Sequence, residues 1–479
     1  MPPELDLLAA AKGVVTAPAG CGKTQLIADT VFEHKGPKPI LILTHTNAGV
    51  VSLRARLVDK KTPSSSYRVM TLDGFAIRLI RKFPLRSGHN PQILELRERD
   101  NDYPAIRDAA VALTQSGHLK DALAATYARL LVDEYQDCNL QQHSMISALS
   151  DVIPTCVLGD QMQAIFDLGD NDLVDWERDV LPRFPEIGRL AVPRRWDRLG
   201  MHELGNWLLE VRDKLKAGQD IDLREARGNV QWVPLKGHPS THQEQRITAA
   251  ATRPANHNGS VIVICDSEIV ASRATISRRV PGSSVVEQVD LPDLVEFSRG
   301  FDIVGEDAID RFVNFAGELM TQVNAAQLCR RVRTILGNRS RSDETAAEVA
   351  AVGFFRSRTW AEAFHLLDTL SRQHRTQIYR PEMYRFLRRA MTLAAAGAHT
   401  LHEAVLAERE KYRHVGRPLA KKSVGSTLLV KGLEADLSVI LWPEKMSAQH
   451  LYVAMTRGAR QLVICSETPL LRPIAPRGS

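Results

Sequence analysis

The residues of this chain best suited to chemistry form two short groups, Ala17-Pro18-Ala19-Gly20-Cys21-Gly22-Lys23-Thr24 and Asp133-Glu134. In the first, small residues in a tight loop let backbone N–H groups turn inward toward phosphate oxygens, with a helix N-terminus behind them. Lys23 would then reach the β- and γ-phosphates of a nucleotide, and the Thr24 hydroxyl would hold Mg²⁺. The strict pattern has Gly where Ala17 stands, so this loop is a variant of it. In the second group, Asp133 is suited to holding Mg²⁺ through its water shell, and Glu134 to orienting and deprotonating an attacking water. An Asp-Glu pair after an apolar run is, by itself, equally a helix cap. With the Lys-Thr loop upstream it reads as the other half of a nucleotide site.

Such groups need a parallel sheet to present them. Gly13-Val14-Val15 reads as a short buried strand before the loop, and Gln25-Leu26-Ile27-Ala28 as the first turns of a helix after it. Further buried-strand runs are Pro39 to Leu43, ending in Thr44-His45-Thr46-Asn47; Val69 to Leu72, leading to Asp73-Gly74-Phe75; Arg129 to Val132, ending in Asp133-Glu134; and Thr155 to Leu158, ending in Gly159-Asp160. Polar residues at successive strand ends are what the ligand-binding carboxyl edge of a parallel sheet looks like. A second set of such runs begins at Val261, Leu437 and Gln461. Between Asp290 and Val415 the periodicity becomes purely helical, with arginines in clusters (Arg330-Arg331-Val332-Arg333, and Arg385, Arg388 and Arg389). Those arginines read either as a solvated helical face or as a surface for duplex DNA or an acidic partner.

With 479 residues the chain is long enough for several domains. A net charge of +6 mildly favours a polyanionic partner. The six cysteines are dispersed, without a CxxC pair or a matching His cluster, which argues against a zinc site and for a reducing, cytoplasmic setting. No apolar run approaches a membrane span, and no signal-peptide pattern is evident at the N-terminus, so no membrane role is expected. No constellation of spaced carboxylates with a following lysine suggests a nuclease.

Taken together and in order, these motifs resemble those of the UvrD/Rep/PcrA-type superfamily 1A DNA helicases. Ala17 to Thr24 is similar to motif I, Leu43 to Asn47 to motif Ia, and Thr71 to Phe75 to the family's Thr-Phe-His-Ser-Phe segment. Val132 to Asp137 resembles motif II, Gly159 to Phe166 motif III, and Leu190 to Trp196 motif IV. Lys431 to Glu434 resembles motif V and Leu451 to Gly458 motif VI. The compact layout, with Asp73-Gly74-Phe75 and Val132 to Cys138, is also similar to the UvrD-like subunit of Gabija anti-phage systems.

The resemblance implies an α/β fold of two RecA-like P-loop domains with parallel sheets, each carrying a helical insertion. The implied boundaries are 1–83 with 126–196 for the first domain, 84–125 for its small insertion, 197–289 with 416–479 for the second domain, and 290–415 for its larger insertion. Such an insertion is expected to form its own small domain with hinge-like connections. The resemblance also implies ATP and Mg²⁺ as ligands. Ala17, Ala19, Gly20, Cys21, Gly22, Lys23, Thr24 and Gln25 would line the nucleotide, with Glu434, Arg195 and Arg457. Gln163 would sense the γ-phosphate, and Arg195 and Arg457, with Arg457 and Glu434 delivered by the second domain, would compensate its charge. His45, Asn47, Phe75 and Phe166 are the implied DNA contacts. Departures from the family pattern are the absent glutamine motif before the loop, Arg194 at the adenine-stacking tyrosine, Leu168 at a base-stacking tryptophan, His45 at a phenylalanine and Leu428 at a histidine. Two function classes follow. One is an ATP-dependent 3′-to-5′ single-stranded DNA translocase or helicase. The other is a DNA- and ATP-gated regulatory subunit, working with a nuclease/ATPase partner in a defence complex. RNA is a lesser substrate expectation.

Overall fold

The computed structural model describes residues 5–96, 98–166, 173–256, 258–267, 269–288, 290–340, 342–397, 399–412 and 420–474. The chain divides into two compact units. The first runs to Val230 and regains Pro443–Arg460 and the residues from Pro469 on; the second is Gln231–Trp442 with Gln461–Thr468. As expected, each unit is built on a sheet.

In the first unit the strands are β1 (Lys12–Thr16), β2 (Ile40–Thr44), β3 (Tyr67–Thr71), β4 (Arg129–Val132), β5 (Thr155–Gly159) and β6 (Glu186–Arg189). They lie in the order β3-β2-β4-β5-β1-β6 and every pair is parallel. The near-continuous aliphatic runs are explained by burial on both faces. Alternate residues feed two separate cores. Val14, Leu41, Leu43, Leu130, Val132 and Val157 pack on one side. Val15, Ile40, Ile42, Leu131, Cys156 and Leu158 pack on the other, under helices Lys23–Glu33 and Asn47–Asp59. Because all strands run one way, β1, β2, β4 and β5 end at the same edge, where the loop, His45, Asp133 and Asp160 follow them. Residues 84–125, expected as a small insertion, do not stand apart. Ile106, Ala110, Leu113, Leu119 and Leu123 enter the same core as Phe75 and Val157.

The second unit contains β7 (Val230–Pro234), β8 (Val261–Cys265), β9 (Ser283–Val285), β10 (Lys422–Ser426), β11 (Ala435–Ile440) and the later part of β12 (Gly458–Ser466). Their order is β9-β10-β8-β11-β12-β7, with β9–β10, β10–β8 and β8–β11 parallel. The helical stretch from Pro292 to Tyr412 is inserted between β9 and β10, which are neighbours, so its two ends meet. It has its own core, including Phe312, Val313, Phe354, Leu366, Leu387 and Met391. Its connection is reinforced rather than hinge-like. Tyr379 O accepts the Val285 N–H at 2.8 Å, and Gln377 Nε2 donates to Ser283 O at 2.9 Å. Arg380 grips Glu287 with both arms at 2.7 Å and Asp293 at 2.6 Å. Among the described residues no helix is long and apolar enough to cross a membrane.

Candidate nucleotide site

The loop after β1 turns through Gly20 and Gly22, whose φ angles of 74° and 93° lie where side chains are disfavoured. A Cβ on Gly20 would run into the Trp196 ring, and one on Gly22 would come 3.0 Å from Arg194 Cδ. Gly22 caps helix Lys23–Glu33, so Lys23 is its first residue and Thr24 its second.

Lys23 is only 8% exposed, yet its ammonium is met by carboxylates: Nζ lies 2.7 Å from Glu134 Oε2 and 3.7 Å from Asp133 Oδ1. Burial alone would lower the lysine's pKa; Glu134 and Asp133 outweigh it and hold it above the ordinary range. Burial pushes Asp133 up to about 6, with the neighbouring Glu134 charge adding to the rise and Lys23 opposing it. Carboxylate charge thus exceeds what one ammonium neutralises. That donor set fits a hard divalent cation with oxygen ligands, and the glycine loop fits phosphate oxygens. Glu134 itself is held in the left-handed region at φ 56°, unusual for a residue with a side chain.

Partners behind the carboxylates fix their positions. Gln136 Nε2 donates to Glu134 Oε2 at 2.6 Å, while Gln136 Oε1 accepts the Asp160 N–H at 3.1 Å. Gln163, nearly buried, donates to Asp160 Oδ2 at 3.3 Å. Asp160 is in turn held by Arg212 on helix His202–Lys216, with Nη2 2.7 Å and Nε 3.0 Å from Oδ1.

The motif VI stretch belongs to this same unit, whereas the sequence boundaries assign 416–479, and with it Arg457, to the second domain. The reason is packing. Helix Ala448–Met455 buries Leu451 through Met455, and Tyr452 Oη accepts the Ala19 N–H at 3.1 Å. Arg195 Nη1 donates to Thr456 O at 2.8 Å, and Trp196 Nε1 to Gly458 O at 3.2 Å. The Arg195 N–H also donates to Gly20 O at 3.0 Å. Arg457 is 3% exposed, its Nε donating to Val453 O at 2.9 Å and its Nη2 to Thr456 Oγ1 at 3.0 Å.

The remaining expected residues are more scattered. Ala17, Ala19 and Cys21 are buried loop residues, while Gln25 bonds Asp29 along its own helix at 2.8 Å. Glu434 is exposed in the second unit. His45 and Phe166 come together, ring centroids 5.6 Å apart, and Asn47 is exposed at the start of helix Asn47–Asp59. Phe75 is 1% exposed within the sheet core, so this conformation presents its ring to no strand. The neighbouring Asp73 is engaged by both arms of Arg107 at 2.8 Å. Leu168 lies outside the described residues. Sequence reasoning gave no role to Asp160, Arg212 or Tyr452. Arg212 carried a signal, an arginine four residues after Leu208 and three before Leu215 on an apolar helix face.

The family described as "UvrD/REP helicase N-terminal domain" matches residues 7–112 and 102–172. This part of the chain is similar to a UvrD/REP helicase N-terminal domain. The match covers β1 to β5 and therefore Lys23, Asp133, Glu134 and Gln163. No curated protein matches the chain. Among solved structures, Arterivirus nonstructural protein 10 (helicase) with DNA aligns at 10% identity, over 96% of this chain and 62% of its own, with a TM-score of 0.36. The Pif1 helicase of Candida albicans aligns at 11% identity over 56% of this chain and 50% of its own, TM-score 0.29. The Bacteroides Pif1 helicase in complex with ADP-AlF3 and ssDNA aligns at 14% identity over 57% and 53%, TM-score 0.28. The chain thus spans less than two thirds of each of these proteins.

Proposed function

We propose that the chain is an ATP-dependent single-stranded DNA translocase or helicase. The observation that carries this is the cluster of buried Lys23 and Asp133 with partly exposed Glu134 beside a glycine-turned loop, inside a UvrD/REP-like domain. Lys23 would exchange its carboxylate partner for the β- and γ-phosphates, while Thr24 and Asp133 would hold Mg²⁺. The ion supplies charge neutralisation on the phosphate oxygens when bound. Glu134, freed from Lys23 and still oriented by Gln136, would position the attacking water and accept its proton. Gln163 would report the terminal phosphate, and Arg195 and Arg457 would balance charge as it leaves. The 3′-to-5′ direction rests on the family resemblance. So do the DNA contacts at His45, Asn47 and Phe166, the Gabija-like nuclease/ATPase partner and the defence role.

The second reading, a DNA- and ATP-gated subunit with little unwinding, is favoured by the burial of Phe75, which removes one aromatic from the expected strand platform. Strand displacement on 3′- and 5′-tailed duplexes, run beside ATPase measurements with and without single-stranded DNA, separates the two. DNA-stimulated turnover with unwinding of the 3′-tailed substrate is expected. Stimulation without unwinding establishes the gated subunit, and turnover indifferent to every nucleic acid sinks both.

A further inference from the structure

Helix His202–Lys216 turns Leu204, Leu208, Val211 and Leu215 into the first unit, and Arg212 goes with them. Arg212 is 1% exposed and Asp160, its partner, 0%. Burying two charges is unfavourable unless every remaining lone pair and proton is used. Here Arg212 Nη1 donates outward to Asp213 Oδ1 at 3.0 Å, and the remaining contacts face the site. Asp160 Oδ1 takes Arg212 Nη2 at 2.7 Å and the Met162 N–H at 3.2 Å, and Oδ2 takes Arg212 Nε at 3.2 Å and Gln163 Nε2 at 3.3 Å. The backbone N–H of Asp160 holds Gln136, and Gln136 holds Glu134. A hydrogen-bonded path therefore runs from Arg212 through Asp160 to the expected γ-phosphate sensor, and by a second branch to the expected general base. The path has little slack: a Cβ on Gly159 would come 2.7 Å from Gln136 Oε1 and 2.9 Å from Trp176 Cη2.

We propose that Arg212 is a positioning residue of the nucleotide site, acting through Asp160 to hold Gln163 and Gln136 where the terminal phosphate and its attacking water are met. This rests on the ATP-hydrolase reading. Arg212 touches no substrate itself. A lysine there would keep the charge and lose the two-armed grip that fixes the carboxylate plane. Asp160 could then rotate and release Gln163 without any group leaving the phosphate cradle.

The test uses the full chain. Removing supporting partners of site residues commonly reduces activity by about 10–100-fold. Arg212→Lys is expected to lower kcat in that range, to leave ADP affinity unchanged, and to weaken binding of a non-hydrolysable ATP analogue. Combined with Gln163→Ala it should cost less than the sum of the two single losses, because the Gln163 branch is then already cut. Normal kcat in Arg212→Lys, equal losses for ADP and the analogue, or full additivity would overturn the proposal. Because a buried charge left alone can unfold a protein, a second variant replaces both partners, Arg212→Met with Asp160→Leu. If folded, it should bind ADP normally and turn over slowly; wild-type kcat in it would make the pair merely structural. A wild-type chain that hydrolyses no nucleotide would fail the hydrolase reading instead, and the comparison of ADP with the analogue would then decide the positioning role alone.

Discussion

Lys23 in the first unit and Arg380 in the second are both cations facing carboxylates, but they are paired in different ways. The nearest partner of Lys23, Glu134, is 34% exposed and sits on a strained backbone. Asp133 beside it has a raised pKa, first through burial and then through the crowding of negative charge. That arrangement can be exchanged for a phosphate and a cation. Arg380 is gripped by the buried Glu287 and the half-exposed Asp293 together, at the base of the helical stretch. Other arginines there are also paired, nearer the surface: Arg331 with Glu348, Arg333 with Asp310, and Arg388 with Asp368. Clustered arginines in a sequence therefore do not measure available positive charge. The carboxylates that fold onto them decide what is left for a polyanion.

The sharpest way to break the contrast is Arg457→Ala, which should reduce turnover by about 10³–10⁵-fold in steady-state ATPase assays while nucleotide binding stays largely intact. Matching losses in binding and turnover would make Arg457 a ground-state ligand. Next comes Glu134→Gln, expected to slow hydrolysis by about 10²–10⁴-fold and still to bind Mg-ATP. Near-normal turnover would show that another group is the base. Arg380→Met should leave nucleotide binding unchanged but cost about 3–5 kcal/mol in denaturant unfolding, since it strands the buried Glu287 carboxylate. A neutral effect would erase the distinction between anchoring and exchangeable cations. His45→Ala or Phe166→Ala should weaken single-stranded DNA binding by about 1–3 kcal/mol, the worth of one stacked base. Unchanged affinity in titrations at fixed salt would exclude that ring pair as a strand contact. Arg333→Ala, at an exposed pair, should change stability by only about 0–1 kcal/mol.

The convergence of the expected nucleotide-site residues was legible because they follow strand ends, and in a parallel sheet every strand end arrives at one edge. Lys23 and the pair Asp133 and Glu134 converge for that reason. Two parts were not legible. Arg212 stood in plain view on an apolar face, but spacing alone cannot show that the partner waiting in the core is Asp160. Motif order puts Pro443–Arg460 in the second domain, whereas contacts through Tyr452 and Thr456 group it with the loop and Arg195, because motif order follows sequence and packing does not. For residues 84–125, an amphipathic helix looks the same whether it roofs a sheet or caps an appendage.

The bond from Ala19 to Tyr452 joins residues 433 positions apart. At ribosomal rates of about 5–20 residues per second, Tyr452 is made roughly 20–90 s after Ala19. Once β6 and Arg195 have been made, the nascent chain can pair β1 to β6, yet until Tyr452 and Thr456 follow, the loop lacks the phenol that holds its backbone and Arg195 lacks the Thr456 carbonyl. On the ATP-hydrolase reading, completion of the nucleotide site would be a late event of biosynthesis. Chains interrupted before Ala448 would carry the loop and both carboxylates without the helix that completes their setting, so an incomplete product is expected to be silent rather than a runaway ATPase.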